Sequence, residues 1–161
     1  MKKILFAFSL LLSSNLVQAS NLSGPRLGMT FLDEGTIAYL VSRDIKVGSS
    51  ISQYGWQFET KLYKSDTGPE VVTEFIPLFG GFEEGLILPS LTWLTGVRLP
   101  FGSEFAAGPN VSATAVGFAM SVGHNTKIGD LNLPLNIAYV SSKHGGRISL
   151  MIGFNVRTGK N

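Results

Sequence analysis

Large apolar side chains recur at every second position in five segments of this chain. In residues 54–63, YGWQFETKLY, the side chains of Tyr54, Trp56, Phe58 and Leu62 alternate with smaller or polar ones. A period of two is typical of a β-strand, whose successive side chains point to opposite faces. The same pattern, with no charge on the large-residue face, occurs in 87–99, 116–122, 131–139 and 148–156. Burying one such side chain contributes about 1.5–3 kcal/mol, so all five faces require an apolar environment.

Turn-forming residues separate these segments. The chain contains 19 glycines, and pairs such as Gly80-Gly81 and Gly145-Gly146 lie between alternating stretches. Short strands separated by turns at fairly regular spacing are typical of an antiparallel all-β sandwich or barrel. We predict an all-β, antiparallel eight-stranded up-and-down barrel that forms a single domain over residues 20–161. The predicted strands are 25–32, 51–63, 70–79, 86–99, 103–110, 112–124, 130–141 and 146–157.

One segment has helical spacing instead. Apolar residues recur every three or four positions between Ile37 and Ile45, with acidic residues before them and basic residues just before Gly48. Acids at the start, bases at the end and a glycine stop suit the dipole and the termination of a helix. We predict one short amphipathic helix near 36–47, with a strand as the alternative.

Two environments satisfy the apolar strand faces. A soluble barrel turns them inward and needs charged residues outside, but residues 105–126 contain no charge and the opposing faces of the last three strands are mostly Gly, Ala, Ser, Asn and Met. A transmembrane barrel turns them toward lipid, where a charge near the midplane costs about 2–4 kcal/mol. We predict an outer-membrane barrel. The alternative is a soluble periplasmic barrel that binds a lipid or another apolar small molecule inside.

The membrane interpretation assigns roles to particular residues. The aromatic side chains predicted to lie at the membrane interfaces are Tyr54, Trp56, Trp93 and Tyr139. The residues predicted to form a polar network in the lumen, or a small polar binding site there, are Gln57, Glu59, Lys61, Arg98 and Glu104. Structural pairing is favoured over a ligand role for that set. Two features oppose the membrane interpretation: the chain ends in RTGKN and not in an aromatic residue, and long loops are missing.

The first 19 residues have the pattern of a secretory signal peptide. Lys2 and Lys3 precede an apolar run, and Val17-Gln18-Ala19 provides a small-residue cleavage site. We predict cleavage after Ala19 and export. Loss of the two lysines leaves equal numbers of acidic and basic residues, so the charge gives no indication of a nucleic-acid partner. Outer-membrane lipid is the expected partner, and the sequence identifies no protein partner.

The sequence contains no recognisable catalytic or metal motif. It has no cysteine and only two histidines, His124 and His144, each beside turn residues. A nucleophile triad needs a histidine placed by an acid, and zinc needs three or four ligands. Glu83 and Glu84 are adjacent, so on a strand they would point to opposite faces. We therefore predict no catalytic residue, metal or cofactor, and a non-enzymatic envelope protein with a structural or interaction role. An esterase-like enzyme is the least favoured alternative.

Four stretches carry a resemblance to known proteins. They are SGPR at 23–26, ISQYGWQFE at 51–59, LILPSLTWLTGVR at 86–98 and EFAAGPN at 104–110. With the signal peptide, they make the chain resemble small exported proteins of Gram-negative bacteria that are described as outer-membrane-like. More remotely, the chain looks like the small eight-stranded outer-membrane barrels. The resemblance implies a β-rich envelope protein and supplies neither an activity nor site residues.

Overall fold

The strands close into a barrel. The computed structural model describes residues 21–129 and 131–158. Each strand pairs antiparallel with the next, and β1 pairs with both β2 and β8, which closes the sheet. The strands are β1 (Asn21–Leu32), β2 (Ser50–Tyr63), β3 (Glu70–Gly80), β4 (Leu88–Arg98), β5 (Ser103–Ser112), β6 (Val116–Ile128), β7 (Leu131–Ser142), β8 (Gly145–Gly153) and β9 (Asn155–Thr158). The predicted eight-stranded antiparallel barrel is confirmed, while the cleavage site after Ala19 lies outside the described residues.

The last two segments are one barrel strand interrupted at Phe154. Before the interruption Leu27 pairs with Ile152, and after it Ser23 pairs with Val156 in the same register. β9 also pairs with β7, as β8 does. β9 therefore continues β8, and the barrel has eight strands.

The boundary between β5 and β6 differs from the prediction. Gly108, Pro109 and Asn110 were expected to end a strand, but all three lie within β5, and the turn comes at 113–115. Proline cannot donate a backbone hydrogen bond. The β4–β5 ladder accommodates Pro109 because it skips the positions between the pairs Thr92–Asn110 and Thr95–Ala107. A Cβ added to Gly108 would lie 2.0 Å from the carbonyl oxygen of Trp93, so this close approach requires glycine.

The single α-helix, α1 (Glu34–Val41), is shorter than predicted and begins earlier. Asp33 caps its first turn, and the Asp33 Oδ1 accepts a hydrogen bond of 2.8 Å from the Thr36 backbone N–H. Asp44 adopts a left-handed φ of 60°, and the Ile45 N–H donates to the Leu40 carbonyl. This geometry is typical of helix termination. The predicted short helix is confirmed, but it ends at Val41 and not near 47, because the turn over residues 42–44 takes the chain out of the helix. None of the described helical residues belongs to a helix long and apolar enough to cross a membrane.

The helix covers one end of the barrel. Leu40 packs with Leu32 and Ile51 in a buried apolar cluster, and Ile45 and Val47 pack against that cluster after the helix has ended. The ring of Tyr39 stacks on that of His144 in the β7–β8 turn, with 3.6 Å between centroids. Both chain ends of the barrel lie at the opposite end, where β1 pairs with β9. The two ends of the barrel are therefore chemically different.

Asp33 fastens the helix to the β7–β8 turn as well as capping it. The Asp33 carboxylate accepts hydrogen bonds from the backbone N–H groups of Gly146 and Thr36, and these bonds lower its pKa below the ordinary value. Because folding lowers the pKa of this carboxyl, its ionised form stabilises the fold at pH values above the ordinary pKa of about 4. That stabilisation is lost as the pH falls through the lowered pKa.

We expect Asp33→Ala to destabilise this end of the barrel by about 0.5–2 kcal/mol, the usual effect of losing a helix cap. Limited proteolysis within 42–49 should become faster at neutral pH, and the difference from wild type should shrink in acid. Asp33→Asn is the matched control, because its amide oxygen keeps one acceptor. Equal cleavage rates for Asp33→Ala and wild type at neutral pH would contradict this assignment.

Candidate functional site

The outer surface of the barrel is apolar on every strand. Both tryptophans and all described phenylalanines are exposed, with Trp56 at 43% and Trp93 at 58%. The outward side chains of β7 and β8 include Leu135, Ile137, Leu150 and Ile152, which are similarly exposed. In a soluble protein these residue types would be the core. The arrangement is therefore the reverse of a water-soluble barrel.

The four predicted interface aromatics all lie on this outer surface. Tyr54, Trp56, Trp93 and Tyr139 are between 43% and 58% exposed. The indole N–H of Trp93 donates a hydrogen bond of 2.8 Å to the hydroxyl of Thr73 on the neighbouring strand. Trp93 thus keeps an apolar ring outward while its polar atom is satisfied. A role for these four residues at a membrane interface stays a prediction.

The interior contains a buried ion pair between three strands. Arg98 on β4 donates two hydrogen bonds to Glu59 on β2, with Nη1–Oε1 at 2.7 Å and Nη2–Oε2 at 2.6 Å. Its Nη2 also donates to Glu104 on β5. Glu59, Arg98 and Glu104 are all less than 9% exposed. A two-pronged guanidinium–carboxylate contact is among the strongest that side chains form. It also fixes the relative positions of β2, β4 and β5.

A second series of hydrogen bonds is centred on Gln57. The Arg26 Nε donates a hydrogen bond of 2.9 Å to the Gln57 Oε1, and the Gln57 Nε2 donates to Glu74. The Arg26 Nη1 donates to the Asn155 Oδ1 at 2.7 Å. These hydrogen bonds join β1, β2, β3 and β9 across the interior.

Lys61 lies apart from the other predicted network members. Its Nζ is 2.8 Å from the Glu70 Oε2, and both side chains retain partial exposure at the end of the barrel that carries the chain termini. Of the five predicted lumen residues, the structure therefore brings Glu59, Arg98 and Glu104 into direct contact and connects Gln57 to Glu74 beside them. Lys61 forms its own pair at the rim. A ligand role for any of the five stays a prediction.

Oxygen atoms of three interior carboxylates lie within 4.8 Å of one another, those of Glu59, Glu74 and Glu104. Such a cluster has the donor type that hard cations prefer. Here Arg98 already neutralises two of its members. The cluster is therefore first an ion-pair network, and the Glu74 Oε2 is its one fully buried oxygen without a partner among the described residues.

Toward the helix-covered end, Arg147 on β8 has only neutral partners among the described residues. Its guanidinium donates to the Thr114 hydroxyl at 3.0 Å, to the Ser112 hydroxyl at 3.1 Å and to the Asn110 side chain. Asn110 in turn donates to Thr92 at 2.7 Å. Polar side chains therefore fill the interior at both ends.

The free space left inside is small. The central cavity has a volume of about 60 Å³ and is lined by polar side chains and by the apolar cluster of Leu94, Ala119 and Val140. Pockets that hold small organic ligands are roughly 300–1,000 Å³. The central cavity is therefore too small for a lipid molecule, while a wider open pocket of about 550 Å³ lies at the mouth of the barrel beside Lys61 and Glu70.

One outward contact joins a serine to a histidine. The Ser103 Oγ lies 3.2 Å from the His124 Nδ1 on the neighbouring strand. The sequence pattern placed His124 beside turn residues at the end of a predicted strand, and β6 in fact continues past it to Ile128. No carboxylate among the described residues is hydrogen-bonded to His124. A serine nucleophile requires a base that is itself oriented by a third group, so the pair is incomplete as a triad.

The sequence prediction missed three interior charges: Arg26, Glu74 and Arg147. All three occupy positions that alternate with outward-facing residues along their strands. This alternation, which we call strand parity, was the signal that could have identified them. Glu74 was hidden because the stretch from Val71 to Ile76 has apolar side chains on both faces. Arg147 follows the Gly145-Gly146 turn, where the start of the strand was uncertain.

We expect Arg98→Met to cost about 3–5 kcal/mol, because it leaves Glu59 and Glu104 buried without their counter-charge. Lys61→Met is the control, and we expect it to cost about 1 kcal/mol or less because its pair lies at the rim. The measurement is urea unfolding of the refolded barrel in detergent micelles, followed by tryptophan fluorescence. Similar losses for the two variants would show that the Arg98 network is not a main support of the interior.

Comparisons with known proteins find the fold. No protein-family model matches the chain, and no curated protein matches it by sequence. The solved structure of the outer membrane enzyme PagL superposes with a TM-score of 0.56 at 13% identity, covering 84% of this chain and 98% of PagL. Ail, the attachment invasion locus protein of Yersinia pestis, superposes with a TM-score of 0.53 at 13% identity, covering 86% of this chain and 98% of Ail.

These similarities extend over almost the full length of both neighbours. At 13% identity they concern the path of the backbone and not the residues of a site. One neighbour is an enzyme by its description and the other is named for attachment and invasion, so the shared fold does not select an activity. The chain has the fold of small eight-stranded outer-membrane β-barrels.

Proposed function

We propose that this chain is a non-enzymatic protein of the bacterial envelope, an outer-membrane barrel with a structural or interaction role. The observation that carries the proposal is the reversed distribution of side chains: tryptophan and phenylalanine outside, paired arginine and glutamate inside. Lipid is the surrounding that makes such an exterior favourable. The predicted signal peptide supplies the route of export.

The interior supports the same proposal. A barrel spanning a membrane must pair its backbone groups in a closed sheet and keep its charges away from the hydrocarbon, which offers no water. The buried Arg98 has carboxylate partners on β2 and β5, and Arg26 has amide partners on β2 and β9. Charged groups are thus kept away from the surface that would contact lipid.

The soluble alternative finds little support. A periplasmic carrier needs an apolar interior large enough for its ligand, and here the interior cavity is about 60 Å³ and lined partly by charged residues. The apolar side chains that would hold a lipid point outward instead. We therefore favour the bilayer over an enclosed small molecule as the apolar partner.

The two ends of the barrel suggest an orientation. The longest described connection, residues 33–49, lies at the helix-covered end, and the described chain termini lie at the other end. Outer-membrane barrels have short periplasmic turns and longer external loops. We place the helix-covered end outside the cell. Its exposed charges include the acidic Glu34, Asp44 and Glu84 and the basic Arg43, Lys46 and Lys143, which would then be available to a partner.

The choice between an interaction role and catalysis rests on the site chemistry. Ser103 and His124 form the one serine–histidine contact recorded among the described residues, and no carboxylate orients the ring. The name of Ail refers to attachment, which is consistent with an interaction role for a barrel of this shape. We therefore assign no catalytic step to this chain.

We expect arginine on the outer surface to be tolerated at the rim and not at mid-height. Ile137→Arg, in the middle of β7, should destabilise the lipid-inserted barrel by about 2–4 kcal/mol, whereas Ile128→Arg, at the end of β6, should cost about 0–1 kcal/mol. Both side chains are more than half exposed. The measurement is equilibrium unfolding from phospholipid vesicles. Equally small losses at both positions would mean that this surface does not contact lipid.

The proposed orientation can be tested by cysteine labelling, because the chain contains no cysteine. Lys46→Cys lies in the connection at the helix-covered end, and Thr67→Cys lies in the β2–β3 turn at the other end; both positions are exposed. On intact cells, a membrane-impermeant maleimide should label only Lys46→Cys, and Thr67→Cys should react after lysis. Release of the protein by osmotic shock would reject the membrane location, and labelling of Thr67→Cys alone would reverse the orientation.

A further inference from the structure

The carboxyl of Glu74 is only half satisfied. Glu74 is 1% exposed, and its Oε1 accepts a hydrogen bond from the Gln57 Nε2. Its Oε2 is buried and has no hydrogen-bond partner among the described residues. A buried carboxylate oxygen without a donor is costly, because it has lost water and gained nothing in return. We therefore expect this oxygen to have a hydrogen-bond donor or a positive charge that neutralises it.

The charges around Glu74 do not balance locally. Oxygen atoms of Glu59 on β2, Glu74 on β3 and Glu104 on β5 lie within 4.8 Å of one another. Two guanidinium groups face these three carboxyls: Arg98 contacts Glu59 and Glu104, and Arg26 reaches Glu74 only through Gln57. One negative charge is left over in this cluster.

The remaining charged groups nearby do not remove that excess. Lys61 and Glu70 pair with each other at the rim and cancel. Arg147 on β8 lines the same cavity as Glu74, but its hydrogen bonds go to Asn110, Ser112 and Thr114. The residues that face Glu74 from β6 and β7 across this cavity are neutral, among them Ser121 and Asn136.

We propose that the interior of the barrel is a binding site for one proton, held by Glu74 and shared with Glu104. Two carboxylates this close in a water-poor interior resist simultaneous ionisation. A proton on the Glu74 Oε2 converts the unpartnered acceptor into a donor directed at the neighbouring carboxylate. It also makes the count of charges in the cluster equal, with Glu59 and Glu104 balanced by Arg26 and Arg98.

A metal ion fits the cluster less well than a proton. Calcium takes six to eight oxygen ligands, and magnesium requires a nearly octahedral set. Both oxygens of Glu59 and one oxygen each of Glu74 and Glu104 already accept hydrogen bonds from Arg98 or Gln57. A divalent ion would also turn the single excess negative charge into an excess positive one. The charge balance and the small number of free oxygen ligands therefore favour one proton over a divalent ion.

The direct test is infrared spectroscopy of the full barrel refolded in detergent micelles at neutral pH. The wild type should show the carbonyl stretch of a protonated carboxylic acid, shifted in heavy water. Glu74→Gln should lose this band, while the control Glu70→Gln, at the rim, should keep it. Absence of the band from the wild type, or its persistence in Glu74→Gln, would overturn the proposal. The wild-type measurement is decisive even if Glu74→Gln fails to refold.

Stability measurements provide an independent readout. The folded chain would hold a proton that the unfolded chain releases at neutral pH, so stability falls as pH rises while that proton is retained. Compared with Glu74→Gln, the folding equilibrium constant of the wild type should decrease about tenfold more per pH unit. Equal slopes for the two proteins would overturn the proposal. So would stoichiometric binding of calcium by the wild type that Glu74→Gln lacks.

Discussion

Closure of the sheet leaves an interior only as wide as the side chains that fill it, and several features of this structure follow from that limit. Eight strands enclose enough space for packed side chains and little more. The large residues on one face of each of β1 to β8 point outward, while Gly, Ala, Ser and Asn line much of the interior. The charged residues that share the inner face must then pair with one another. The pairing of the interior charges is a result of this narrow interior, whereas the apolar exterior reflects the alternation of large and small side chains along the strands.

The narrow interior of the closed sheet also explains which interior residues are compatible with the fold. Close approach of neighbouring backbones leaves no room for a Cβ at Gly108, and the bidentate Arg98–Glu59 pair occupies space that a soluble carrier would leave for its ligand. The central cavity is too small to enclose a substrate. The surfaces that remain accessible are the outer wall and the two ends, of which one is covered by α1.

Strand parity in the sequence was enough to predict the barrel, its strand number and the side chains of its outer surface. The alternation in 131–139 and 148–156 fixes those faces, because a period of two cannot be satisfied by a helix. Parity failed where both faces carry apolar residues, as around Glu74, and where a turn signal occurred inside a strand, as at Pro109. The contacts of the interior could not be predicted, because they join strands whose registers depend on the closed sheet. The end of α1 at Val41 was also missed, since the left-handed backbone of Asp44 in the following turn carries no clear signal in an aspartate.

The pairing of interior charges has a consequence for how the barrel is assembled. Arg26 contacts Gln57 and Asn155, which are 31 and 129 residues away along the chain, so its partners come together only when the first and last strands meet. Until that happens, a partly formed sheet would expose a guanidinium and several carboxyls along its inner face. Hydrocarbon strongly disfavours unpaired polar groups and open sheet edges. For a barrel inserted in the outer membrane as proposed, insertion and closure would therefore be coupled, because the interior charges find their partners only when the first and last strands meet.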